Sequence, residues 1–208
     1  MNLKTNAAAI VVLVGIFSTA HAVDAYVDQF ISYKNASQSN ANLLGFQNGT
    51  PGTLINVSGA LATGAPTYGE WVAVQSGYEA IYSFTGQKAT TGLNIYSVAN
   101  GANESAEIYG RLNSTDSWSF LGMAYEPLTS SGYSAQASFI NLSSFSNGIA
   151  QVKVRSLSDG GWSLGYDLMG IQGQGMVAAP VPEPETYALM GLGLTALLVN
   201  RRRKTNVE

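Results

Sequence analysis

The sequence AQVKVRSL at residues 150–157 contains the pattern that decides the fold. Val152, Val154 and Ser156 alternate with Lys153 and Arg155, so apolar or small residues would lie on one face of a strand and cations on the other. Alternation with a period of two residues is typical of a β-strand that is buried on one face. The segment therefore predicts a strand that covers a hydrophobic core.

Segments of similar length and composition lie on both sides of this one, at residues 78–84, 92–98, 106–112, 118–123 and 163–171. Asn-Gly pairs at 48–49, 100–101 and 147–148 are suited to tight turns, because both residue types accept a positive φ. No segment between residues 23 and 172 has apolar residues at the 3.6-residue spacing of an amphipathic helix. We therefore predict an all-β fold, an antiparallel β-sandwich or jelly roll, with a barrel as the structural alternative.

Composition excludes several classes of function. The chain has no cysteine and a single histidine, His21, so a Ser-His-Asp or Cys-His nucleophile is excluded once the first 22 residues are removed. Zinc is disfavoured for the same reason. Residues 23–180 contain ten acidic and five scattered basic residues, a net charge of −5, which does not suit nucleic-acid binding. We expect a non-catalytic protein without a nucleic-acid partner.

The first 22 residues have the composition of a secretory signal peptide. Lys4 precedes an apolar stretch at residues 7–17, and Ala20 and Ala22 supply the small residues that signal peptidase requires. Cleavage after Ala22 would release a mature protein that starts at Val23 outside the inner membrane. An uncleaved anchor is the alternative.

The C-terminal region combines three features of a membrane-delivered tail. An extended motif comes first, because proline does not continue a helix. An uncharged apolar helix is predicted at residues 186–200; at ~1.5 Å per residue it spans roughly 22 Å, less than the ~30 Å of a bilayer core. A basic stop-transfer cluster follows, which favours a cytoplasmic C-terminus. The motif is Val181, Pro182, Glu183, Pro184 and Glu185, and the cluster is Arg201, Arg202, Arg203 and Lys204.

These features together resemble the PEP-CTERM sorting signal of Gram-negative bacteria. The resemblance implies that an exosortase, a membrane cysteine transpeptidase, recognises the Pro-Glu-Pro unit and cleaves nearby. The protein would then pass from a transient inner-membrane anchor to the cell surface or the exopolysaccharide matrix of a biofilm. The expected organisation is a signal peptide (1–22), a β-sandwich (23–171), a linker (172–180) and the sorting signal (181–204). The alternatives are a permanently anchored adhesin or lectin and a structural matrix component without a ligand.

The body also resembles the galactose-binding or discoidin-like sandwich domain of such proteins. This resemblance rests on the sequences ALATGAP at 60–66, WSFLG at 118–122 and GYDLMGI at 165–171. Thr63 interrupts the first of these, and Met169 occupies the place of a second acidic residue in the last. The resemblance implies a β-sandwich in which carbohydrate binding is a candidate function.

Two kinds of ligand are candidates for the body. Trp71, Trp118 and Trp162 could stack on sugar rings, although tryptophan side chains also fill sandwich cores. Calcium accepts carboxylate and carbonyl oxygens without histidine or cysteine, and Asp159 and Asp167 are its candidate ligands. Paired carboxylates could also hydrolyse glycosidic bonds, but the sequence contains no recognisable glycosidase motif.

Overall fold

A computed structural model describes residues 23–35, 43–47, 54–98, 103–127, 134–157 and 164–179, together with Leu192. The predicted signal peptide, the Pro-Glu-Pro motif and the basic cluster lie outside these residues, as do Trp162 and Asp159. Within the described part of the chain, no helix is long and apolar enough to cross a membrane.

The described body consists of fourteen short strands and one 3-10 helix at Gly59–Ala62. In chain order the strands are β1 (Ala25–Tyr26), β2 (Gln29–Lys34), β3 (Leu44–Phe46), β4 (Ile55–Asn56), β5 (Trp71–Gln75), β6 (Glu79–Ser83), β7 (Gln87–Lys88), β8 (Gly92–Val98), β9 (Ser105–Arg111), β10 (Ser119–Tyr125), β11 (Ala135–Asn141), β12 (Gln151–Ser156), β13 (Gly165–Gln174) and β14 (Val177–Ala178).

The strands form two facing sheets. One has five strands in the order β10-β9-β12-β6-β2. The other has seven, in the order β11-β8-β13-β5-β3-β4, with β1 paired to the later part of β13. The strands β7 and β14 form a separate two-stranded ribbon, and every pairing in the described residues is antiparallel. The predicted all-β antiparallel sandwich is confirmed.

The main core lies between the two sheets. Val152 and Val154 of β12 are fully buried there, as their alternation predicts, together with Ile108 of β9 from the same sheet. Leu93 and Ile95 of β8 are among the residues that the seven-stranded sheet contributes. Burial of this apolar surface is the main source of stability in a chain without disulfides.

A second, smaller apolar cluster contains Phe46, Trp71, Val98 and Met169. The rings of Phe46 and Trp71 are stacked with their centroids 4.6 Å apart. This cluster explains why β5, which carries Trp71, is buried almost along its whole length and lacks an alternating sequence.

The end of the body differs from the sequence-based boundary. Residues 172–180 were expected to form a linker, but β13 continues to Gln174 and Val177 and Ala178 pair with β7. The Ala179 N–H donates to the Gly86 carbonyl oxygen at 2.9 Å, and Met176 is buried. The folded body therefore extends at least to Ala179.

Candidate functional site

The outer face of the five-stranded sheet brings charged and aromatic side chains together. In β9, Ala106 and Ile108 point into the core, so Glu107, Tyr109 and Arg111 point outward. The cross-strand register aligns Tyr109 with Phe120 on one neighbour and with Lys153 on the other. We call this surface the outer face.

A nearly buried cation lies near the middle of the outer face. The Lys153 Nζ atom is 3.0 Å from Glu79 Oε1, and it lies 4.4 Å from the ring centroid of Tyr109 and 5.2 Å from that of Trp118. The electron-rich face of an aromatic ring attracts a cation at such distances. These contacts explain how a lysine that the sequence places on the solvent side is nevertheless 9% exposed.

Trp118, one of the three candidate tryptophans, lies at one end of this face. The Arg111 guanidinium carbon is 4.2 Å from its ring centroid. Arg111 Nε donates to Gln151 Oε1 at 2.8 Å and its Nη1 donates to the Asp116 carbonyl oxygen at 3.4 Å. These bonds hold the guanidinium in place. Beside it, Arg111, Asp116 and Ser119 border an open cleft of about 260 Å³.

Strand β10 adds an exposed apolar strip along the edge of the outer face. Phe120, Met123 and Tyr125 share this side of the strand. Phe120 is 52% exposed and Tyr125 is 57% exposed, while the Phe120 ring packs edge-on against Tyr109 at 5.6 Å. Large side chains that lie side by side on one exposed edge form a contiguous patch, so the strip is a candidate contact surface.

The outer face is also more positive than the body as a whole. Four of the five basic residues of the body lie on the strands of this sheet: Lys34, Arg111, Lys153 and Arg155. The same strands carry only two acidic residues, Glu79 and Glu107. Glu107 Oε2 is 3.4 Å from Arg155 Nη1 and accepts a 2.8 Å hydrogen bond from the Tyr109 hydroxyl. That hydrogen bond, with a smaller effect of burial, raises the pKa of Tyr109.

A second group of polar residues is buried where the ends of β9 and β10 lie near β13. Glu104 immediately precedes β9, Glu126 immediately follows β10, and Asp167 lies in β13. All three side chains are buried, and one carboxylate oxygen of each lies within 4.8 Å of the others. We call them the carboxylate cluster. The Glu126 N–H donates to the Glu104 carbonyl oxygen at 2.9 Å, and the Asp167 N–H donates to Glu126 Oε1 at 2.6 Å.

The electrostatics of the carboxylate cluster favour protonation of Glu126 when no cation is bound. Burial, followed by the negative charge of Asp167, raises the pKa of the Glu126 carboxyl to about 10. The nearby Glu104 carboxyl adds to this rise, and the hydrogen bond from the Asp167 N–H opposes it.

The structure separates the residues that the sequence grouped as candidates. Trp71 is fully buried against Phe46, so its ring is inaccessible to a sugar, which corrects that expectation. Trp118 lies on the outer face, and Asp167 lies in the carboxylate cluster. Sequence reasoning did not single out Glu104 or Glu126, which adjoin strand ends and carry no local motif.

Comparison with protein families finds the sorting signal. Residues 180–204 match the PEP-CTERM protein-sorting motif, so the resemblance predicted for the tail is confirmed. The motif implies an exported protein that an exosortase sorts to the cell surface. No curated protein sequence matches the chain.

Three solved structures resemble the fold distantly. The C-terminal CBM6 of LamC, a marine laminarinase from Zobellia galactanivorans, is 12% identical, with coverage of 75% of this chain and 98% of its own and a TM-score of 0.39. The xylan-binding module CBM15 is 13% identical, with coverage of 76% and 97% and the same TM-score of 0.39. Eiger TNF from S. frugiperda is 15% identical, with coverage of 78% and 98% and a TM-score of 0.26.

Proposed function

We propose that this chain is an exported polysaccharide-binding protein that binds its ligand on the outer face. The observation that carries the proposal is the juxtaposition of exposed rings at Phe120 and Tyr125 with the fixed cations Arg111 and Lys153 on a single sheet face. The role is binding and not catalysis.

The chemistry of this face suits a sugar chain. A pyranose ring has apolar C–H faces that stack on aromatic side chains, and its hydroxyls form charge-assisted hydrogen bonds with guanidinium, ammonium and carboxylate groups. Arg111 and Lys153 are already held by Gln151, Glu79 and the neighbouring rings. Side chains that are ordered before binding lose less conformational entropy when the ligand arrives.

The charge of the outer face favours an acidic polysaccharide over a neutral one. The body is negative overall, yet its basic residues are concentrated on this sheet. A cationic surface attracts carboxylated or sulfated chains, and the attraction weakens as salt screens it. We therefore propose a polyanionic matrix glycan as the ligand.

The sorting signal supplies the place of action. We propose that signal peptidase cleaves after Ala22 and that an exosortase cleaves near Pro182, Glu183 and Pro184, which releases the body to the surface or the exopolysaccharide matrix. A C-terminal helix at residues 186–200 with its basic end in the cytoplasm remains the predicted topology. A permanently anchored adhesin would remain in the membrane fraction, which distinguishes it from a released protein.

Affinity electrophoresis of the purified protein tests the proposal. Gels would contain alginate or polygalacturonate as acidic chains and dextran or cellulose derivatives as neutral ones. We expect the acidic gels to retard the protein. Phe120→Ala and Tyr125→Ala should each raise the Kd obtained from this retardation by about tenfold. The matched control is Tyr68→Ala, because Tyr68 is 69% exposed but lies in the turn before β5 of the other sheet.

Two results would overturn the proposal. Equal mobility in all gels would leave a structural matrix component without a ligand, and equal losses in Tyr68→Ala and Tyr125→Ala would move the site off the outer face. All three substitutions are at exposed positions, so each variant should keep the Tm of the wild-type protein. Thermal unfolding of each variant checks that a loss of binding does not come from a loss of folding.

A further inference from the structure

The carboxylate cluster contains a buried oxygen that its protein surroundings do not satisfy. Glu126 is 2% exposed, and its Oε1 accepts the Asp167 N–H. Its Oε2 is also buried, and no N–H or hydroxyl group of the described residues donates to it. Buried polar atoms are almost always satisfied, so an orphaned carboxylate oxygen beside two further carboxylates points to a missing partner.

The charges of the cluster lead to the same conclusion. Three ionised carboxylates within 4.8 Å of one another repel strongly once they are removed from water. The group is stable if protons neutralise it or if a cation lies among its oxygens. The first solution is available to any acidic cluster, so the spacing of the oxygens must distinguish the two.

The spacing fits a calcium ion. Calcium binds oxygens at about 2.3–2.6 Å, so two ligand oxygens on opposite sides of the ion are separated by up to about 4.6–5.2 Å. The three oxygens here all lie within 4.8 Å, which allows one central ion to contact all of them. Magnesium at about 2.0–2.1 Å requires a tighter octahedral shell. We propose that Glu104, Glu126 and Asp167 bind one calcium ion.

Such an ion would stabilise the sandwich. Glu104 and Glu126 flank the ends of β9 and β10 in the five-stranded sheet, whereas Asp167 belongs to β13 in the seven-stranded sheet. A shared ion therefore joins the two sheets where a chain without disulfides has no covalent link. Extracellular modules bind calcium with dissociation constants of about 0.1–1 mM, which suits an exported protein. This inference does not depend on the polysaccharide-binding proposal.

Calcium titration of the purified wild-type protein tests the inference without any substitution. At a calcium concentration of about 100 Kd, ligand linkage predicts a rise in Tm of about 5–10 °C for a domain of this size. Magnesium at the same concentration should give a smaller rise. Terbium, a luminescent calcium substitute, should show tyrosine-sensitised emission that excess calcium removes, because Tyr166 adjoins Asp167.

Two variants and a control assign the site. Glu126→Gln and Glu104→Gln should each abolish most of the calcium-dependent Tm rise, and Glu70→Gln, a partly exposed acid outside the cluster, should retain it. If one variant fails to fold, the other variant and the wild-type titration still decide. A wild-type Tm that calcium leaves unchanged, or a Glu126→Gln protein that keeps the full rise, would overturn the inference and assign the cluster to a shared proton.

Discussion

Removal of the Glu79 carboxylate should destabilise the protein far more than removal of the Lys153 ammonium. Breaking a fully buried ion pair by deleting one partner costs about 3–5 kcal/mol, because the remaining charge is left without compensation. Here the side chains of Lys153 and Glu79 are 11% and 25% exposed, so water retains part of its access. We reduce the cost of Glu79→Gln to about 2 kcal/mol, which corresponds to a fall in Tm of about 4–8 °C.

Lys153→Met should behave differently. The methionine side chain keeps most of the apolar stem that packs beside Tyr109 and Trp118, and the Glu79 carboxylate can turn to solvent. Replacement of a buried charge by an apolar residue of similar volume is often neutral, so we expect a change within about 1 kcal/mol. In the Lys153→Met background, Glu79→Gln should then have almost no further effect.

Thermal unfolding of the four proteins of this double-mutant cycle gives the coupling energy directly. The matched control is the neighbouring pair of Arg155 and Glu107, in which Arg155 is 46% exposed and the closest N–O distance is 3.4 Å. Its coupling should be below about 1 kcal/mol and should vanish at high salt, as for other surface pairs. Equal costs for Glu79→Gln and Lys153→Met, or equal coupling in the two pairs, would refute the argument that burial sets the strength of this contact.

Two further predictions concern the core and the tail. Gly45→Ala should destabilise the protein by about 2–3 kcal/mol, because the added Cβ would clash with the Trp71 carbonyl oxygen and lie 2.6 Å from Val57 Cγ2. Gly77→Ala, at a φ of +76° but in open space, should cost about 1 kcal/mol. Equal losses of stability in urea unfolding would contradict this difference. Insertion of a four-residue Gly-Ser spacer between Pro180 and Val181 should speed exosortase processing at least about twofold in a pulse-chase experiment. Ala179 is hydrogen-bonded to the body, and the three residues from there to Pro182 span only about 10 Å when extended, so the body lies close to the motif. The same insertion after Lys204 should have no such effect, and an unchanged rate in both would show that the body does not restrict access.

The sequence predicted those parts of the fold in which local pattern and tertiary environment agree. The strand at residues 150–157 was recognised because its two faces meet different surroundings, core on one side and solvent on the other. β5 was missed because the second apolar cluster covers its other face and removes the alternation. β14 was missed because its two residues form a strand only through pairing with β7, which no local propensity encodes.

The candidate site was predictable to a smaller extent. Trp118 was named from its residue type, and Arg111 lies only seven positions before it in the chain. Lys153 comes beside Trp118 through the cross-strand register, which pairs Lys153 with Tyr109, 44 positions earlier. In the carboxylate cluster, Asp167 was singled out as a calcium candidate through its apolar strand. Its partners Glu104 and Glu126 could not be, because a residue that adjoins a strand end has no periodicity to mark which way it points.

The two charged sites illustrate opposite ways of burying charge in the same sandwich. Lys153 is held by residues that the fold itself supplies, a carboxylate and two aromatic rings, so its charge is compensated within the chain. The carboxylate cluster gathers three charges of one sign and leaves Glu126 Oε2 without a donor, so its environment is completed by something from outside the chain. The first arrangement is balanced within the chain, so the fold should tolerate Lys153→Met. The second depends on the solution around the protein, and it should respond to the calcium that the protein meets after export.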